Sequence, residues 1–212
     1  MKKQKLILFS VIFLLIAFAL GSYFYKDSQA KEAALIAKKN QEVFIREYST
    51  IIGNKDAKVT LVEFLDPACE TCAAFYPLVK DIMKKYPDQI RLVIRYAAFH
   101  PDSDYVVKLL EATKKQDKYM VALEGLFKYQ KQWASHHRPN IQMVWQIMST
   151  LGIDTDKLAE DMKDPALDKI VEQEMADVKK LGVKKTPGYF VNGKPLQKFG
   201  YKQLVELIES EL

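Results

Sequence analysis

The only two cysteines in the chain, Cys69 and Cys72, are three residues apart and stand between a short apolar run and an amphipathic stripe. The run Val59 to Leu65 (V-T-L-V-E-F-L) is β-branched and aromatic, bounded by Lys55-Asp56 and Asp66-Pro67, and reads as a buried strand. After the pair, Cys72, Phe75, Tyr76, Val79, Ile82, Met83 and Tyr86 recur at three- and four-residue steps, the buried face of a helix that Pro87 ends. Pro77 falls inside this pattern and is expected to kink the helix without abolishing it. Arg91 to Tyr96 (R-L-V-I-R-Y) is the next strand. Strand, helix and strand in so short a span make a βαβ unit, with parallel strands and a right-handed crossover.

The position of the cysteines argues for chemistry. A C-x-x-C pair closes a tiny loop and constrains the unfolded chain little, so stability is a poor reason for it. At a helix N-terminus, unpaired backbone N–H groups and the macrodipole favour a thiolate on Cys69. Cys69 is then expected to open a substrate disulfide, or to be attacked when the chain is the oxidant. Cys72, one turn on and facing the core, is expected to resolve the mixed disulfide. A zinc site needs three or four ligands, and the other thiol or imidazole candidates are His100, His136 and His137. Adjacent His136 and His137 do not easily face one ion, so neither a metal nor an organic cofactor is expected.

From Ser103 to about Glu160 the sequence reads as helix, in stripes built on Tyr105, Leu109 and Leu110, on Tyr119, Leu123 and Phe127, and on Ile141, Val144 and Met148. Asp154 to Lys163 adds a short helix, and Ala166 to Leu181 a longer one stopped by Gly182. Trp133 and Trp145 are read as core residues of this region. Then come Tyr189 to Val191, the turn Asn192-Gly193 and Lys194 to Phe199, a hairpin signal. A last amphipathic stretch covers Tyr201 to Leu212. The order is β, α, β, helices, β, β, α.

The segment E-F-L-D-P-A-C-E-T-C-A-A-F-Y, with the later K-T-P before a strand and an N-G-K hairpin, resembles the DsbA-like branch of the thioredoxin superfamily over roughly residues 43–212. The resemblance implies an α/β thioredoxin fold with a helical domain inserted between its βαβ and ββα halves, here at about residues 102–165. It implies disulfide exchange with protein substrates through C-E-T-C, and a membrane redox partner. In that family a proline before the third core strand is cis and faces the cysteines, and Pro187 after Thr186 matches it. Glu63 matches a buried acidic residue beneath the site, whose use would be proton exchange with Cys72; the alternative is a strand glutamate facing solvent. Glu70-Thr71 departs from the family's Pro-His and Gly-Pro dipeptides. The charge on Glu70 is expected to raise the Cys69 pKa, with Lys184 and Lys185 as offsetting cations. With Thr186, it keeps a reductase or isomerase open as the alternative to an oxidant. A scaffold or metal carrier is the rival from another class.

The first 25 residues are of different material: Lys2, Lys3 and Lys5 precede Leu6 to Leu20, apolar except for Ser10. Continued through Tyr25, the run is long enough to span the ~30 Å hydrocarbon of a bilayer as a helix. An uncleaved anchor over residues 6–25 is expected, with a cleaved signal peptide ending near Ser28-Gln29-Ala30 as the alternative. Either places the rest outside the cytoplasmic membrane. Residues 26–42 then form a helical linker. The three leading lysines make up most of the net charge of +5, and no long basic run follows, so no nucleic-acid partner is expected.

Overall fold

The computed structural model describes residues 41–212 together with 14–16, 18, 20–25 and 28. Half of the expected membrane segment 6–25 and most of the linker 26–42 lie outside the described residues. Among the described residues, no helix is long and apolar enough to cross a membrane.

The elements are α1 (Gln41–Phe44), β1 (Thr50–Gly53), β2 (Val59–Leu65), α2 (Glu70–Lys85), β3 (Ile90–Tyr96), α3 (Ser103–Ala112), α4 (Tyr119–Lys128), α5 (Gln130–Trp133), α6 (Ile141–Thr150), α7 (Thr155–Asp161), α8 (Pro165–Leu181), β4 (Gly188–Val191), β5 (Lys194–Pro195) and α9 (Tyr201–Glu209). The strands form one mixed sheet in the order β1-β3-β2-β4-β5. β2 and β3 run parallel, in register from Val59 opposite Ile90 to Leu65 opposite Tyr96, with α2 as their crossover. The other three pairings are antiparallel. This is a thioredoxin-like α/β fold, with helices between the βαβ and ββα halves.

β2 lies in the middle of the sheet and is covered on both faces, which is why it reads as an almost unbroken apolar run. Its two-residue period sends Leu61, Glu63 and Leu65 to the face where Cys72, Val79 and Ile82 pack. Val62 and Phe64 go to the other face, against Val93, Val178 and Phe190.

Local chemistry sets the element ends. Asn140, Asp154 and Asp164 cap α6, α7 and α8 by accepting from the N–H groups of Met143, Lys157 and Ala166. Gly182, at φ 68°, closes α8 in the left-handed conformation. The β4–β5 turn uses positive φ at both Asn192 and Gly193.

Two expectations need correction. β5 covers two residues where Lys194 to Phe199 was expected, because Pro195 has no N–H to give and only the Leu196 N–H bond to Tyr189 O extends the pairing. β1 was not read from the sequence at all; it is a four-residue edge strand antiparallel to β3. Trp133 is fully buried and donates to Leu126 O at 2.8 Å, and Trp145 donates to Tyr105 Oη at 3.1 Å, as core residues would.

Candidate active site

The turn from β2 into α2 is tied down before it reaches the first cysteine. Asp66 is fully buried. Its Oδ1 accepts from Ala68 N at 2.8 Å and Ser103 Oγ at 2.6 Å, and its Oδ2 from Phe99 N at 2.8 Å and His100 N at 3.0 Å, with His100 Nδ1 at 2.7 Å. One carboxylate thus pins the turn to the segment between β3 and α3. From α5, the buried amide of Gln130 donates to Pro67 O at 2.9 Å and Cys69 O at 3.0 Å. Between them, Asp66 and Gln130 fix the backbone on both sides of Pro67 and Ala68.

Cys69 occupies the N-cap position of α2. It is 5% exposed, whereas Cys72 is 0% exposed, so an external sulfur reaches the first and not the second. Both thiols are free. The Cys69 pKa is lowered to about 5, chiefly by the hydrogen bond from the Cys72 thiol, then by Thr186 and the N–H groups of Cys72 and Thr71; burial opposes the shift. The neighbouring thiol contributes the largest share of this, and the N–H groups expected at a helix end add a smaller one. Glu70 is exposed on the first turn and is not among the groups that chiefly set the Cys69 pKa. Burial pushes Cys72 far above the ordinary thiol range, reinforced by its bond to Cys69 and the charges of Cys69 and Glu63.

Thr186, just before β4, comes up to the same sulfur, with Pro187 next to it in the chain. The Thr186-Pro187 peptide bond is cis. The Thr186 carbonyl accepts from the Cys69 thiol at 3.4 Å, which suits the protonated form, while its side chain favours the thiolate. Lys184 and Lys185 line the groove next to Thr186, Pro187 and Thr71.

Glu63 faces the interior below the cysteines, not solvent, and is 1% exposed. Tyr189 Oη donates to its Oε1 at 3.0 Å, and its Oε2 has no partner among the described residues. Burial with one hydrogen bond raises its pKa to about 7; the Tyr189 bond lowers it and the charge of Cys69 raises it.

The structure therefore gathers Cys69, Cys72, Thr186 and Glu63, with Pro187 adjoining. Sequence reading missed Asp66, Gln130 and Tyr189. Asp66-Pro67 carried a signal, taken only as a strand end, although a buried aspartate after a strand commonly bonds the turn N–H groups that follow. Gln130 carried none, since its partners lie 61 and 63 residues away.

A buried parallel strand delivering a C-x-x-C pair onto a helix N-terminus, opposite a cis-proline loop, defines a thioredoxin-fold redox protein. A family model described as Thioredoxin matches residues 46–210, and the chain belongs to that family. It is 24% identical over 220 residues to the probable disulfide bond formation protein D of Bacillus cereus, covering 100% of this chain and 99% of that one. It is 28% identical over 151 residues to a Na(+)/H(+) antiporter NhaA of Herminiimonas arsenicoxydans, a match that takes in 71% of this chain and 23% of the antiporter. Among solved structures, a thioredoxin-like oxidoreductase from Silicibacter pomeroyi superposes with a TM-score of 0.69 at 27% identity, over 80% of this chain and 95% of that one. Within the family, the likeness is to the DsbA-like branch of thiol–disulfide oxidoreductases.

Proposed function

We propose that the chain gives its Cys69–Cys72 disulfide to protein thiols on the outer side of the cytoplasmic membrane. A substrate thiolate attacks Cys69 Sγ, the S–S bond breaks, and Cys72 leaves with the electron pair and takes up a proton. A second substrate thiol, once deprotonated, then attacks the mixed disulfide. Cys69 leaves as a thiolate, the substrate holds the new disulfide, and both enzyme cysteines are reduced. Glu63, half protonated near neutrality, is the group suited to give and take the Cys72 proton. Two electrons then have to pass to an acceptor, which we assign to a membrane partner.

The direction is carried by the placement of Cys69 at the N-cap of α2, where the Cys72 thiol and the N–H groups of Thr71 and Cys72 favour its thiolate and bring its pKa to about 5. A stabilised thiolate stabilises the reduced protein, makes the disulfide the less stable state, and so makes it a donor. Support for the outer face comes from the sequence, where Lys2, Lys3 and Lys5 precede the apolar segment 6–25.

The test is the reduction potential of the pair, equilibrated against glutathione. A donor is expected to lie above about −180 mV, whereas a value near −270 mV, in the range of a reducing thioredoxin, would make the chain a reductase. The roles of the two cysteines separate in variants: Cys72→Ala is expected to accumulate covalent mixed disulfides with substrate, and Cys69→Ala to accumulate none.

A further inference from the structure

The groove beside the cysteines carries a charge pattern that disulfide exchange by itself does not use. It encloses about 700 Å³ and is lined by Thr71, Thr186 and Pro187 on the side of Cys69, and by Lys184, Lys185 and Lys198. No aspartate or glutamate lines it, and Glu70, next in the chain to Thr71, stands outside the lining. All three lysines are exposed. Lys80, Lys85, Lys108, Lys115 and Lys194 each hold a carboxylate within 3 Å. Among the described residues, Lys184, Lys185 and Lys198 hold none; other surface lysines such as Lys128, Lys179 and Lys180 hold none either, and the first three are set apart by lining one groove. Phe199, 49% exposed, adds an apolar surface to the same groove.

Three like charges converging on a concave surface repel one another and focus a positive potential there, which an incoming carboxylate relieves. We infer that the groove selects protein thiols whose cysteine is flanked by acidic residues. The inference rests on the reading of the chain as a disulfide-exchange enzyme and names the substrate class of that same site. Its effect is on encounter and orientation. It therefore belongs to the second-order rate constant and is sensitive to salt.

The experiment uses the oxidised full-length chain and two dithiol peptides that differ only in the residues flanking the reacting cysteine, glutamate in one and lysine in the other. At low ionic strength the glutamate peptide is expected to be oxidised about tenfold faster, within the range that electrostatic steering gives. The ratio is expected to fall towards one in about 1 M salt, where the Debye length is ~3 Å. It is expected to fall likewise in the K184Q/K185Q/K198Q variant. Equal rates at low salt, or a preference that survives both salt and the triple substitution, would overturn the inference and leave disulfide exchange intact. Oxidation of neither peptide would instead remove the enzyme reading on which it rests.

Discussion

The two faces of the central sheet both bury charge, and they do it in opposite ways. On the face away from α2, Arg95 is fully buried and bonded through all three of its nitrogens: its guanidinium donates to Glu174 Oε1 at 2.8 Å, Asp177 Oδ2 at 2.7 Å and the Val43 carbonyl. Glu174 Oε2 accepts from Tyr96 N at 2.9 Å, and Asp177 also takes Arg46 in two bonds, at 2.8 and 2.6 Å. On the face under α2, Glu63 has one hydrogen bond and an unpartnered oxygen. Pairing is what separates them. Asp177, which takes both Arg46 and Arg95, is held below the usual carboxylate range, and at Glu174 the pull of Arg95 opposes the upward push of burial, so the pair serves as a strut; Glu63, with one phenol and no cation, is raised to about 7 and can exchange a proton.

The largest expected effect tests the strut. Arg95→Met leaves Glu174 and Asp177 buried without their cation and is expected to cost about 3–5 kcal/mol in urea denaturation. The reduction potential of the pair is expected to stay where it was. A large change in potential with little loss of stability would erase the distinction between the faces.

The next effect concerns Glu63 and has a definite sign. Its pKa is near 4.5 in the unfolded chain and about 7 in the fold, so between these values the unfolded state has lost a proton that the folded state keeps. Stability should therefore fall as pH rises from about 4.5 to about 7, by roughly 3 kcal/mol at most. Glu63→Gln is expected to remove that decline, leaving the variant more stable than the parent at pH 8 while slowing the resolution of mixed disulfides. Parallel stability–pH curves for parent and variant would mean that Glu63 is not held near neutrality.

A smaller effect tests how Thr186 tunes the sulfur. Thr186→Val keeps the carbonyl that accepts from the Cys69 thiol and removes the hydroxyl that favours the thiolate. The Cys69 pKa is expected to rise by about one unit or less, in keeping with one net hydrogen bond of about 1 kcal/mol. A downward shift would reverse the assignment of the two Thr186 groups.

Much of this was legible along the chain because its causes are local. The β-branched run at Val59–Leu65, the stripe after Cys72, the Asn192-Gly193 turn and the stop at Gly182 each depend on neighbours a few residues away. β1 was not legible, because Ile51 and Ile52 give only two apolar residues and an edge strand takes its shape from its partner β3. The Arg95 cluster was half legible. An arginine inside the apolar strand R-L-V-I-R-Y requires a buried acid, but nothing nearby says that it comes from α8, 79 and 82 residues on. Gln130 was missed for the same reason, whereas Asp66 had a local signal in its bond to Ala68 N. The place of Cys69 at a helix start was legible because the strand and the stripe flank it, whereas the bond from the Cys72 thiol that chiefly lowers its pKa was not.

The fold divides two identical thiols into a thiolate that an external sulfur reaches and a fully buried thiol. The pH dependence of alkylation of the reduced full-length chain, with each cysteine followed by peptide mass spectrometry, measures that division directly. Cys69 is expected to alkylate with an inflection near pH 5, and Cys72 to remain unmodified throughout the range in which the chain stays folded. An inflection for Cys69 near 9, or equal alkylation of both residues, would contradict the account.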